Sequence, residues 1–158
     1  MNESASADEP MAQLEIRKGA DARLDVGGLR FVACRREVDV IDGGITLYVH
    51  SALPDDEREL LRFDLFRNRP HYHAPATNEK ETEIQPTSDV TEWGIDHLTR
   101  CTAELVGQGG FQDLVARLDL ESIRRSAPAL RQLLAGLADA TERSTFPIPA
   151  VRLAELRG

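Results

Sequence analysis

The spacing of apolar residues changes once along this chain, and that change restricts the fold more than any other feature. From Gln13 to His73 apolar side chains recur at every second position, in runs of strand length. Leu14 and Ile16 alternate with Glu15 and Arg17, and Leu24 and Val26 follow. Leu29, Phe31 and Ala33 alternate with Arg30, Val32 and Cys34 in a run that reaches about Val38. Ile45, Leu47 and Val49 alternate with Thr46, Tyr48 and His50, and residues 59–66 form the next run. Gly27-Gly28, Asp42-Gly43-Gly44 and Pro54-Asp55-Asp56 separate these runs as turn signals. Strands joined by short turns pair antiparallel, so this half is a meander.

Beyond residue 88 the spacing is helical. Asp89 and Glu92 are placed as a capping pair. Val90, Trp93, His97, Cys101 and Leu105 predict one stripe turned to the core. Gly107, Gly109 and Gly110 end that helix, and Phe111, Leu114, Val115 and Leu118 form a short one. Ser126-Ala127-Pro128 opens another, with Leu130, Leu133, Leu134 and Leu137 on its apolar side. Residues 146–149 read as extended and residues 150–156 as a last short helix. Strands first and helices second predict an α+β fold: an antiparallel meander of five or six strands, with three or four helices packed on one face.

A chain of 158 residues is one domain by length. The expected organisation is a disordered acidic tail over 1–12 and a single α+β domain over 13–158. Within it, 13–73 form the sheet, 74–87 an acidic linker with a short edge strand near Thr82 to Ile84, and 88–158 the helical part. The net charge of −8 is uneven. In residues 74–97, Lys80 faces Glu79, Glu81, Glu83, Asp89, Glu92 and Asp96, whereas 13–73 and 98–158 are close to neutral. Without a net attractive field, nucleic acid is not the expected partner; a protein partner or a second copy fits better. No run is long enough for a membrane span, and the first residues lack a basic and apolar leader, so a cytoplasmic location is expected. Cys34 and Cys101 form no ligand motif and read as buried thiols. Seventeen arginines against Lys18 and Lys80, with abundant alanine, suggest a GC-rich bacterial genome.

Functional groups gather in one place, Arg62-Phe63-Asp64-Leu65-Phe66-Arg67-Asn68-Arg69-Pro70-His71-Tyr72-His73. A turn over 67–70 would pair Phe66 with His71, Leu65 with Tyr72 and Asp64 with His73. Alternation then sets Asp64, His71 and His73 on one face. No cofactor is expected, although two imidazoles and a carboxylate there can hold a divalent transition metal. They can also act as catalytic acid and base, or form an ion pair that only fixes strand register. Arg62, Arg67, Arg69 and Arg35, with Arg36, are candidates for an anion-binding rim; their alternative partners are Glu37, Asp39 and the acids of 79–83. His97 and Trp93 read as core residues and His50 as exposed. There is no Gly-x-Ser-x-Gly nucleophile motif and no phosphate-binding glycine loop.

The runs Arg62-Phe63-Asp64-Leu65-Phe66 and Pro70-His71-Tyr72-His73, with Asp25-Val26-Gly27-Gly28-Leu29-Arg30, resemble an uncharacterised bacterial domain family of unknown function over roughly residues 13 to 137. That resemblance implies a small cytoplasmic domain and assigns no activity. More distantly, the Arg-x-Asp and His-x-His pattern looks like that of small toxins from bacterial toxin–antitoxin pairs. The expected function is a non-enzymatic binding or interaction module. The alternative is a metal-dependent hydrolase or toxin-like ribonuclease using Asp64, His71 and His73.

Overall fold

A ten-residue strand, β3 (Leu29–Val38), organises the sheet. One of its sides pairs along its whole length with β4 (Asp42–Ser51). Its other side is shared in turn by two shorter strands, β2 (Ala22–Val26) and β1 (Met11–Lys18). The lane breaks at Gly19, whose amide still bonds Arg35 O at 2.8 Å. A Cβ there would lie 2.4 Å from Ala138 O, so only glycine lets the later chain cross so close. That crossing leads into β8 (Glu142–Pro149), which pairs with all of β1 and forms one edge of the sheet. On the other side β4 is followed by β5 (Glu59–Phe66), β6 (His71–His73) and β7 (Thr82–Glu83), in the spatial order β7-β6-β5-β4-β3-β1-β8.

The structure, a computed structural model, describes residues 9–85 and 87–158. Among the described residues there are eight strands and six helices. The helices are α1 (Val90–Arg100), α2 (Thr102–Gln108), α3 (Gln112–Val115), α4 (Leu120–Arg125), α5 (Ala127–Ala135) and α6 (Ala150–Arg157). The expected α+β class and antiparallel meander are present. The count exceeds the expected five or six strands through β7, the short edge strand expected near Thr82 to Ile84, and through β8, which is polar, with two prolines. Neither carries an alternating apolar signal. The helices exceed the expected three or four because the run read as one helix divides at Cys101 into α1 and α2, and α4 stands apart from α3. Residues 1–8 of the expected tail lie outside the described residues, and β1 begins at Met11, inside the segment read as tail.

The two faces of the sheet differ in chemistry because side chains alternate. Phe31, Ala33, Leu47, Val49, Leu61 and Phe63 are fully buried on one face, with Ile95, Leu98, Ile123, Leu130 and Leu134 of the helices in the same core. The opposite face carries Cys34, Thr46, Tyr48, Arg62, Asp64, His71 and His73 at the alternate register positions. Phe63 and Tyr72 stack on the helical side, with ring centroids 4.8 Å apart. The histidines flanking Tyr72 are thereby turned to the polar side.

Two local expectations are corrected. The stripe of α1 is rotated: Gly94, Ile95, Leu98 and Thr99 are its buried residues, while Trp93 and His97 are half-buried and stack on each other at 4.3 Å. Gly94 explains this, since a Cβ there would lie 2.7 Å from Leu65 Cδ1, and its absence lets the helix settle closely on β5. Asp42-Gly43-Gly44 is the start of β4 and not a turn. The turn is made just before it by Asp39, at φ 49, with Ile41 N bonding Val38 O at 3.0 Å. The connection 74–85 is also more anchored than a linker. Ala76 N bonds Leu60 O, Ile84 N bonds Pro70 O, and Ile84 is buried. Among the described residues no helix is long and apolar enough to cross a membrane.

Candidate metal centre

The register of the β5–β6 hairpin decides which side chains meet. Arg62 pairs with His73, Phe63 with Tyr72 and Asp64 with His71. This is two residues from the expected pairing. A slip of two leaves every side chain on its expected face, whereas a slip of one would have reversed them. The cause is Asp42. Its buried carboxylate accepts from Asn68 N (2.9 Å) and Arg69 N (2.8 Å), and Arg67 N goes to Gly43 O. The amides that would have continued the β5–β6 ladder are taken by the start of β4, so the loop opens to 65–70.

Asp64 lies at the centre, with its side chain 1% exposed. Thr46, opposite it on β4, donates its hydroxyl to Asp64 Oδ1 at 2.8 Å. Arg62 donates Nε and Nη2 to Asp64 Oδ2 at 3.1 and 2.8 Å. His71 Nε2 is 3.0 Å from the same Oδ2 and 2.8 Å from Glu81 Oε2. His73 Nε2 is 3.9 Å from Asp64 Oδ2. One ligand atom from each of Asp64, His71 and His73 falls within 4.8 Å of the others. All three are buried, and they converge on the face away from the helical core.

The backbone sets which nitrogen each histidine presents. His71 Nδ1 is 2.8 Å from Arg69 O and His73 Nδ1 is 2.6 Å from Asn78 O. A carbonyl can only accept, so Nδ1 carries the proton in both rings, and Nε2 is the nitrogen offered to the centre. His71 Nε2 meets two carboxylates and therefore acts as a donor. Burial opposes its protonation, but the bonds to Asp64 and to Arg69 O outweigh burial and raise its pKa. Burial likewise opposes ionisation of Asp64. The donors His71, Arg62 and Thr46 prevail, holding that carboxyl far below the usual carboxylate range. His73 differs from both. It is 8% exposed, and its Nε2 has no hydrogen-bond partner.

The expected arginine rim is not gathered in one place. Arg62 belongs to the centre. Arg67 makes two bonds to Glu37, at 3.0 and 2.7 Å, and Arg69 pairs with Glu81 at 3.2 Å. Arg35 alternates to the helical side and donates to Leu137 O at 3.3 Å. Sequence reasoning missed Thr46, Asp42, Asn78 and Glu81. Extending the alternation across β4 would have exposed Thr46 as a neighbour of Asp64. Nothing local marks Glu81 among the acids around it. A cleft of about 140 Å³ lies beside His71, between Arg69, Pro70, Glu83 and Ile84.

A family model described as a domain of unknown function (DUF7700) matches residues 23–134. The chain belongs to the DUF7700 family. Neither a curated protein nor a solved structure is significantly similar to it. The DUF7700 match takes in β2 to α5, and with them Asp64, His71, His73 and Glu81. The paired strands β1 and β8 and the helix α6 lie outside it.

Proposed function

We propose that this DUF7700 domain is a binding module for a divalent transition metal, held by Asp64, His71 and His73. The observation that carries this reading is His73 Nε2. A buried imidazole nitrogen without a partner is costly. This one is oriented by its Nδ1 bond toward a carboxylate too distant to satisfy it. An ion bonded to Nε2 at about 2.0–2.1 Å would supply the missing partner. The Nδ1-to-carbonyl bonds are those that orient and strengthen metal-ligating histidines. Imidazole with carboxylate suits zinc and its first-row neighbours. Near-complete burial of the three ligands favours holding an ion over turning over a substrate.

A metal-dependent hydrolase is the second reading. It is favoured by the cleft beside His71, because three protein ligands leave a position for water. A metal-free ribonuclease is less well supported, since both nitrogens of His71 are already engaged and neither is free to act as a base.

Metal content of the purified untagged protein, with melting scans against Zn²⁺, Mn²⁺, Ni²⁺ and a chelator, tests the proposal. Near-stoichiometric metal that is lost in His73→Ala is expected. No metal and no shift with any of the ions would reduce the cluster to a register-fixing ion network centred on the Arg62–Asp64 pair.

A further inference from the structure

We infer that Glu81 is the fourth protein ligand of this centre and the one that opens it to exchange. The inference rests on the metal reading above and adds a residue to it. Nε2 of His71 can carry at most one hydrogen, yet two carboxylates approach that atom, Asp64 Oδ2 at 3.0 Å and Glu81 Oε2 at 2.8 Å. One proton cannot serve both well. A divalent cation in its place can, and would pair both negative charges at once. The resulting set, two imidazoles and two carboxylates, has the four-ligand count of a closed zinc-type site.

The four ligands are unequal. The side chains of Asp64, His71 and His73 are 1%, 11% and 10% exposed, whereas Glu81 is 32% exposed. Glu81 reaches the centre through His71 alone. Its second oxygen is held by Arg69 Nη2 at 3.2 Å. The segment bearing it also supplies Asn78 O to His73 Nδ1. Residues 78–81 therefore orient one histidine and reach the other, with the more exposed carboxylate on the solvent side. Release of Glu81 is the step that would admit water or an anion to the ion, with Arg69 retaining the freed carboxylate.

Cobalt(II) titration, followed by visible absorption, tests this on the full chain. The unaltered protein is expected to give the intense bands of a four-coordinate ion, unmoved by azide. Glu81→Gln should bind Co²⁺ at least about tenfold more weakly, show weaker bands, and respond to azide. Circular dichroism melting of that variant controls for folding. If Glu81→Gln matches the unaltered protein in affinity, spectrum and indifference to azide while His73→Ala loses the ion, Glu81 is not a ligand and the three-residue centre stands. If the unaltered protein takes up no Co²⁺, the centre and its fourth ligand fall together.

Discussion

At the scale of single residues, Asp64 and Asp42 perform similar work in different places. Each is a buried carboxylate whose oxygens are covered by donors. Removing one donor or one acceptor leaves a partner stranded, which costs more than the bond itself contributes. Thr46→Val deletes the hydroxyl at Asp64 Oδ1 with little change of volume. It should lower stability by about 1–2 kcal/mol, read from the urea midpoint, and leave metal stoichiometry unchanged. Asp42→Ala strands the amides of Asn68 and Arg69 and frees the loop that sets the hairpin register. A loss of about 2–3 kcal/mol is expected, and a metal-binding defect should accompany it although Asp42 touches no ligand. Asp64, His71 and His73 were legible from alternation alone. Asp42 was not, because a carboxylate that captures amides 26 and 27 residues away leaves no local pattern.

At the scale of elements, the strands that alternate were readable; of the two that do not, β7 was expected as a short edge strand near Thr82 to Ile84, and β8 was read only as an extended stretch over 146–149. β3 matches its expected bounds because ten residues of regular alternation admit one register. The N-terminus of α1 was equally legible: Asp89 accepts from Glu92 N at 3.0 Å as a capping residue should. Its partner behaves differently, since the Glu92 carboxylate turns away to Arg131 on α5. Asp89→Ala should cost about 1 kcal/mol, visible as a lower melting temperature with metal binding intact. Gly44 is the more demanding position. At φ +152 inside β4, a Cβ would stand 2.4 Å from the backbone Leu65 O. Gly44→Ala should force β4 away from β5 and destabilise the fold by at least about 2 kcal/mol. A thermal shift within error of the unaltered protein would show that the two strands can separate there without penalty.

For the whole molecule, the buried ion cluster gives stability a pH signature that metal reverses. In chelator-treated protein the folded-state pKa of Asp64 is lowered. Its contribution is therefore present above the unfolded value of about 4 and is lost as pH falls. The folded-state pKa of His71 is raised, so its contribution is complete below about 6.5 and is lost as pH rises through the folded value. Arg62, Thr46, Glu81 and His73 surround these two groups, and Arg62 stays charged throughout. The denaturation midpoint of the metal-free protein should accordingly peak between about pH 4 and 6.5, and His71→Gln should remove the decline on the alkaline side. Metal affinity should instead rise with pH across the histidine range, because the ion replaces a proton. A metal-free midpoint that climbs steadily from pH 6 to 9 would contradict this account of His71.

The fold class was legible at this scale because one change of period separates strand from helix. The outer lane was not. β8 owes its place to pairing with β1 from the far end of the chain; its second half was read as extended, but a polar first half and two prolines hide the strand. That same composition bears on how the sheet ends. Ala150 N turns inward to Pro10 O, so the odd-numbered positions 147 and 149 turn their amide edge outward, and both are proline. The outer rim of β8 thus lacks donors at 147 and 149, whereas Arg143 and Thr145 keep theirs. The opposite rim, β7, offers only two residues. A sheet finished in this way leaves little continuous backbone for strand addition at either of these two rims, which blunts the polymerisation that threatens open β-edges.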